Sequence, residues 1–213
     1  MNAPHLDWSG ETPRSITFDD PYYAESDGAA EAAHVFLDGN GLPGRLRPGF
    51  HIAELGFGTG LNLLVTLAAA GNVPFRFTSF EAYPMAAEDM ARALARWPHL
   101  TAGALIEAQR AGERRFQIGP AEVEVIVGDA RLTLPRWRGR ADAWYLDGFA
   151  PAKNPELWEA DLLAQVAAHT SRGGTFATYT AASAVRHRLT DAGFAVERRP
   201  GFGHKRHMSV GHL

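Results

Sequence analysis

Cysteine is absent from all 213 residues. That removes disulfides, thiolate zinc sites, iron–sulfur clusters and every cysteine nucleophile, including the thiolate that activates a pyrimidine ring for methylation at C5. Lysine is scarce too, occurring only at 153 and 205, whereas arginine is spread along the chain. No apolar run approaches the roughly 18 residues of a membrane span, and the opening MNAPHLDWSGETPR has no signal-peptide apolar segment. The expectation is a cytoplasmic protein with no membrane partner.

What is present suits one globular domain. The chain is 46% hydrophobic and 21% charged, and its length buries about 70% or more of the unfolded surface. Net charge is -3, so the protein as a whole does not attract nucleic acid, but the charge is uneven. Residues 1–40 hold Asp7, Glu11, Asp19, Asp20, Glu25, Asp27, Glu31 and Asp38 against Arg14 alone. The stretch 186–206 holds Arg186, Arg188, Arg198, Arg199, Lys205 and Arg206 against Asp191 and Glu197. This asymmetry fits either an anionic partner near one end or an ordinary solvated surface.

Residues 1–48 read as an extension, with a strand at SITF (15–18), a helix at GAAEAAHVFL (28–37) and a turn cluster DGNGLPGRLRPG (38–49). Strand and helix patterns then alternate. FHIAEL (50–55) precedes the helix LNLLVTLAAA (61–70), and PFRFTSFEA (74–82) precedes a helix over 84–97 with Pro84 in its first turn. RRFQI (114–118) and EVEVIVGD (122–129) form a hairpin, and ADAWYLD (141–147) is followed by a helix over 155–170. GTFATYT (174–180), a helix over 183–193, and the strands FAVERRP (194–200) and RHMSVGH (206–212) complete the pattern. Such alternation predicts an open α/β sheet, mostly parallel, with helices on both faces and the last two strands antiparallel.

ELGFGTGLN (54–62) links the first long strand to its helix. Glycines at 56, 58 and 60 let a ligand approach the backbone at a helix N-terminus. A dinucleotide loop would place its third glycine at Leu61; the G-x-G-x-G spacing found here resembles motif I of S-adenosylmethionine-dependent methyltransferases. Glu81 ends the next strand, where a carboxylate can accept from ribose hydroxyls. Asp129 follows the third strand, placed to accept from an adenine amino group, and Glu54 stands where a ligand's ammonium group would come. Three carboxylates suit a cationic ligand without phosphate. Without a ligand, Glu81 and Asp129 are strand-end caps.

DAWYLDGFAPAKNPELW (142–158), with FDDPYY (18–23), ELGFGTGLN and GFGHKRHM (201–208), resembles the tRNA 5-methylaminomethyl-2-thiouridine methyltransferase family, MnmD or the methyltransferase half of bifunctional MnmC. The match runs from Phe18 onward. It implies a Rossmann-like class I S-adenosylmethionine-dependent methyltransferase with a mostly parallel seven-stranded sheet and an antiparallel C-terminal strand. It also implies one domain over 1–213, with 1–48 packed on it and no FAD-dependent oxidase domain. The implied cofactor is S-adenosylmethionine, leaving as S-adenosylhomocysteine, with neither FAD nor metal. The implied partner is the anticodon stem-loop of tRNA, with a separate oxidase acting upstream. The reaction would be N-methylation of a wobble 5-aminomethyl-2-thiouridine; a small amine, a protein amine or a non-catalytic RNA-binding role are the alternatives.

By the same resemblance, Asp147 is the catalytic residue and faces the cofactor. Glu54, Gly56, Phe57, Gly58, Gly60, Asn62, Glu81 and Asp129 bind the cofactor. Asp19, Asp20, Tyr22, Phe149, Lys153, Asn154, Lys205 and Arg206 bind substrate. With an ordinary aspartate pKa of about 4, Asp147 would be a poor base for an amine, so its expected contribution is orientation and charge stabilisation. His204, His207 and His212 read as surface histidines, not metal ligands.

Overall fold

The computed structural model describes residues 3–213. Strands β1 (Leu6–Ser9), β2 (Thr12–Ser15) and β3 (Asp20–Pro21) make a small antiparallel sheet. The strand expected over 15–18 is therefore displaced: β2 ends at Ser15, where the chain turns and Ser15 Oγ accepts from Phe18 N at 3.2 Å. Helix α1 (Gly28–Ala32) is capped by Asp27, whose Oδ1 accepts from the amides of Ala29 and Ala30. It widens into a π-helical turn over Ala33–Leu37, then tightens into a 3-10 turn over Asp38–Asn40. Val35, Phe36 and Leu37 from this segment are buried in the core, so the N-terminal extension packs as part of the fold.

Strand β4 (Phe50–Leu55) is buried at every residue, as a central parallel strand covered on both faces must be. Helix α2 (Leu61–Ala70) and strand β5 (Phe75–Glu81) follow. Helix α3 (Ala87–Leu94) starts after Pro84, not at it; Ala86 is extended, and Met85 is buried with its carbonyl accepting from Gln109 Nε2 at 2.6 Å. Helix α4 (Gly103–Arg110) was not expected from the sequence. Then come β6 (Arg115–Ile118), β7 (Ala121–Val127), the short α5 (Ala130–Thr133) and β8 (Ala141–Leu146). The helix expected over 155–170 is broken: a 3-10 turn (Pro155–Trp158) and α6 (Ala160–Ala168) are separated by extended Glu159. Strand β9 (Thr170–Thr178), α7 (Ser183–Asp191), β10 (Ala195–Pro200) and β11 (His207–His212) complete the chain.

The main sheet has the order β10-β11-β9-β8-β4-β5-β7-β6. Five strands, β9, β8, β4, β5 and β7, are parallel, and β11 inserts antiparallel beside β9. The sheet is mostly parallel with an antiparallel C-terminal strand, and the edge hairpin partner β6 makes it eight strands wide instead of seven. Alternate residues feed two cores. Ile52, Phe77, Ala143 and Tyr145 pack with the α2 side, whereas Ala53, Phe80, Trp144 and Leu146 pack with Leu163 and Val166 of α6 and Leu189 of α7. Among the described residues no helix is long and apolar enough to cross a membrane.

Candidate active site

Strands β4, β5, β7 and β8 all end at one edge of the sheet, and the strand order reverses between β4 and β8. Open α/β sheets bind ligands at such a point. A cavity of about 650 Å³ opens there. Its lining includes Gly56, Phe57, Gly58, Asn62, Glu81, Asp129, Asp147, Phe149 and Asn154, with Asp20 and Tyr22 from the N-terminal segment.

The glycine loop is shaped by close approach. Gly56 has φ +89, and a Cβ there would lie 2.2 Å from the Asp147 carbonyl oxygen, so glycine is what lets β4 and β8 end side by side. Gly58, at φ +53, donates its amide to Glu81 Oε2 at 2.9 Å. Gly60 lies outside the cavity lining; it precedes α2 at φ +76, and a Cβ there would meet Leu105 Cδ2 at 2.6 Å. Glu81 Oε1 also accepts from Tyr83 N at 2.7 Å. Burial raises the Glu81 pKa, and the backbone amides oppose that rise.

Asp147 is half-buried in the wall, and its Oδ2 accepts from Asn62 Nδ2 at 2.7 Å. Burial pushes its pKa from 3.8 up to about 7; Asn62 and Lys205 oppose the rise and Glu31 adds to it. The ordinary value expected from sequence is thus corrected, and the carboxylate is poised as a proton acceptor near neutrality. Asp129 lines the cavity and also caps α5, and Arg131 holds both its oxygens, with Nη2 to Oδ2 at 2.7 Å. This hydrogen-bonded pair keeps the Asp129 carboxyl below its usual range.

Other expected contacts are placed differently. Glu54 lies beneath the cavity, 1% exposed, with its oxygens bonded to Ser79 and Asn62, so it does not line the cavity. Asp19 and Lys153 also lie outside the lining, because they hold each other: Lys153 Nζ bonds the Asp19 carbonyl and carboxylate and is 3.6 Å from Asp20 Oδ1. Asp20 Oδ2 accepts from Ala150 N at 2.8 Å, which ties the N-terminal segment to the loop after β8. The Phe149 ring is stacked on Phe18 at 4.8 Å and meets Tyr22 edge-on at 5.1 Å, so one of its faces is already covered.

Lys205 and Arg206 part company. Lys205 lines the cavity, bonded to Glu31 Oε1 at 2.7 Å and lying 4.2 Å over the Tyr179 ring. Arg206 is exposed and outside the lining. Glu31, Phe18 and Tyr179 line the cavity without having been singled out in the sequence; Tyr179 donates to the Gly148 carbonyl at 2.7 Å and so braces the Asp147 loop. Its position at the end of a parallel strand was the available signal. Among the described residues no group of three or more histidines or carboxylates is arranged to hold a metal.

The chain is 45% identical to the tRNA 5-methylaminomethyl-2-thiouridine biosynthesis bifunctional protein MnmC of Ralstonia nicotianae, over 99% of this chain and 34% of that protein. It is 40% identical to the protein of the same name from Chromohalobacter salexigens, over 100% of this chain and 33% of that one. It therefore spans about a third of the length of the curated relatives it matches. The crystal structure of MNMC2 from Aquifex aeolicus shares the fold, with TM-score 0.78 over 99% of this chain and 70% of that one at 23% identity. Residues 92–213, which carry Asp129, the β8 carboxylate and the C-terminal hairpin, match the family model described as S-adenosyl-L-methionine-dependent methyltransferase, and the chain belongs to that family.

Proposed function

We propose that the protein methylates the primary amine of 5-aminomethyl-2-thiouridine at the wobble position of tRNA, giving 5-methylaminomethyl-2-thiouridine. The observation that carries the reading is Asp147: a carboxylate at the end of β8, in the cavity beside the glycine loop, with its pKa raised to about 7. The relatives named for tRNA 5-methylaminomethyl-2-thiouridine biosynthesis bring the substrate.

The cavity fits the methyl donor of the family. Gly56 and Gly58 offer a backbone cradle without side chains, and Glu81 and Asp129, which line it, would accept from ribose hydroxyls and the adenine amino group. Its cations, Arg131 and Lys205, are already committed to Asp129 and Glu31, so the site favours a cationic ligand over a pyrophosphate. When bound, S-adenosylmethionine supplies an electrophilic methyl group. Asp147 accepts the N–H bonds of the amine, directs its lone pair along the sulfur–methyl axis and takes up a proton. Tyr22 and Phe149 form an aromatic wall against which the pyrimidine is held, with Asp20 and Asn154 at its polar edge. Arg198 and Arg206, exposed on the hairpin whose loop reaches the cavity, meet RNA phosphates.

Mass spectrometry of nucleosides tests the proposal, using tRNA that carries the aminomethyl group but lacks the methyl. Conversion of that nucleoside to its N-methyl form is the expected result. Methylation of free amines with tRNA left untouched would overturn it.

A further inference from the structure

Glu54 is a buried acid for which the proposed reaction has no task. Its Oε2 accepts from Ser79 Oγ at 2.7 Å and its Oε1 from Asn62 Nδ2 at 2.9 Å. The same Asn62 nitrogen donates to Asp147 Oδ2 at 2.7 Å. An amide nitrogen has two hydrogens, and here each goes to a different carboxyl group. In this orientation the amide bridges the two acids, and its oxygen faces neither. Below it, Thr66 Oγ1 donates to the Asn62 carbonyl at 2.7 Å and lies 3.0 Å from the Tyr145 hydroxyl. The chain Ser79–Glu54–Asn62–Asp147 thus runs from the sheet interior to the cavity wall.

We propose that Glu54 and Asn62 are positioning residues, not ligands of the methyl donor: Glu54 anchors the Asn62 amide, and the amide aims the Asp147 carboxylate at the acceptor nitrogen. The inference rests on the reading of Asp147 given above. Two ionised acids on one amide would repel each other, and burial holds the deeper one, Glu54, well above the usual carboxylate range. The negative charge is left to Asp147. Glu31 from α1 and Lys205 from the hairpin loop also face Asp147, and Asp147 and Glu81 face Glu54. Tyr179 stands at the end of β9, bonded to the loop that follows Asp147. The variants below leave all of these groups in place.

Three substitutions test the inference. Glu54→Gln keeps the size of the side chain and an oxygen for Asn62. S-adenosylhomocysteine affinity by calorimetry should then stay within about threefold of wild type, a difference below about one kcal/mol. Asn62→Leu removes both N–H donors. It should preserve that affinity while lowering the single-turnover rate by about 10²-fold through misalignment. It should also move the ascending limb of the pH–rate profile up by about one pH unit, because Asp147 loses a hydrogen bond that favours its ionised form. A carbon-13 carboxyl titration of the ligand-free protein should show the same displacement at Asp147. Asn62→Ser, whose shorter side chain cannot reach both acids, should reproduce it if the leucine variant does not fold.

A loss of S-adenosylhomocysteine affinity beyond about 30-fold in Glu54→Gln would make Glu54 a direct ligand and overturn the inference. So would an Asn62 variant with the wild-type rate and Asp147 midpoint. The affinity and titration measurements need no acceptor. A wild-type protein that leaves tRNA unmethylated would therefore overturn the substrate reading alone.

Discussion

Asp147→Asn should make the protein slower and more stable at once. The substitution keeps the shape and leaves an oxygen to accept from Asn62, but it removes the titrating group. The pKa of the folded carboxyl is about 7 against 3.8 for the free group. Between those values the folded protein holds a proton that the unfolded chain has released, so stability falls as pH rises through that window. Above about pH 7 both states are ionised and the full cost of the buried charge remains. Three pK units correspond to about 4 kcal/mol, and partial exposure of the side chain reduces this to about 2 kcal/mol. Asparagine has no such cost. Urea unfolding should therefore show the variant more stable by about 2 kcal/mol at about pH 8, with the gain shrinking towards zero at about pH 4. Single-turnover methyl transfer should fall by about 10²–10⁴ while S-adenosylhomocysteine binding is retained. A stability difference that does not change with pH, or an asparagine variant with wild-type turnover, would refute the reasoning.

Gly58→Val should abolish S-adenosylhomocysteine binding in calorimetry while circular dichroism shows a folded chain, since the new side chain enters the cavity against Tyr22, 3.1 Å from its Cβ position. Changing Arg198 and Arg206 together to Ala should flatten the log–log salt dependence of tRNA binding by about 2 units, whereas Lys205→Ala should leave that slope unchanged because Lys205 is paired with Glu31 inside the cavity. Asp20→Ala should leave the Ala150 amide without its partner, while Lys153 stays bonded to Asp19, costing the loop about 1–3 kcal/mol of local stability. Hydrogen exchange over residues 149–154 would measure it as faster exchange.

β4 was legible because it is a short, largely apolar run between Gly49 and Gly56; β4 and α2 have the limits their patterns predicted. Helix α4 left little trace, since of its eight residues only Leu105 and Ala108 are buried and the period is faint. The break at Glu159 was hidden by good helix formers on both sides. Asp147, Glu81 and Asp129 were expected in one crevice because strand ends in such sheets face it, and all three line the cavity. Some partners that modulate these groups, such as Glu31 and Lys205 for Asp147, come from elsewhere in the chain and were not read. Lys205 and Lys153, expected at the substrate, are ion-paired in the fold, with Glu31 and with Asp19 and Asp20. Pairing across the fold has no local pattern.

The wall formed by α1 and the C-terminal hairpin has a kinetic consequence. Glu31 reaches Lys205 across 174 positions, and His34 reaches the Pro200 carbonyl across 166. The 3-10 turn lies directly on β9 and β11: a Cβ at Gly39 would be 2.7 Å from Ala177 and 3.0 Å from Met208. Contacts so distant in sequence close late, because loop-closure entropy is lost before they form. Val35, Phe36 and Leu37 join the core with α2 and with Tyr145 of β8, 5.2 Å from Phe36, but their cover is complete only when Met208 and Val210 of β11 are in place. The cavity wall contributed by Glu31 and Lys205 is therefore completed only when the two ends of this fold have met.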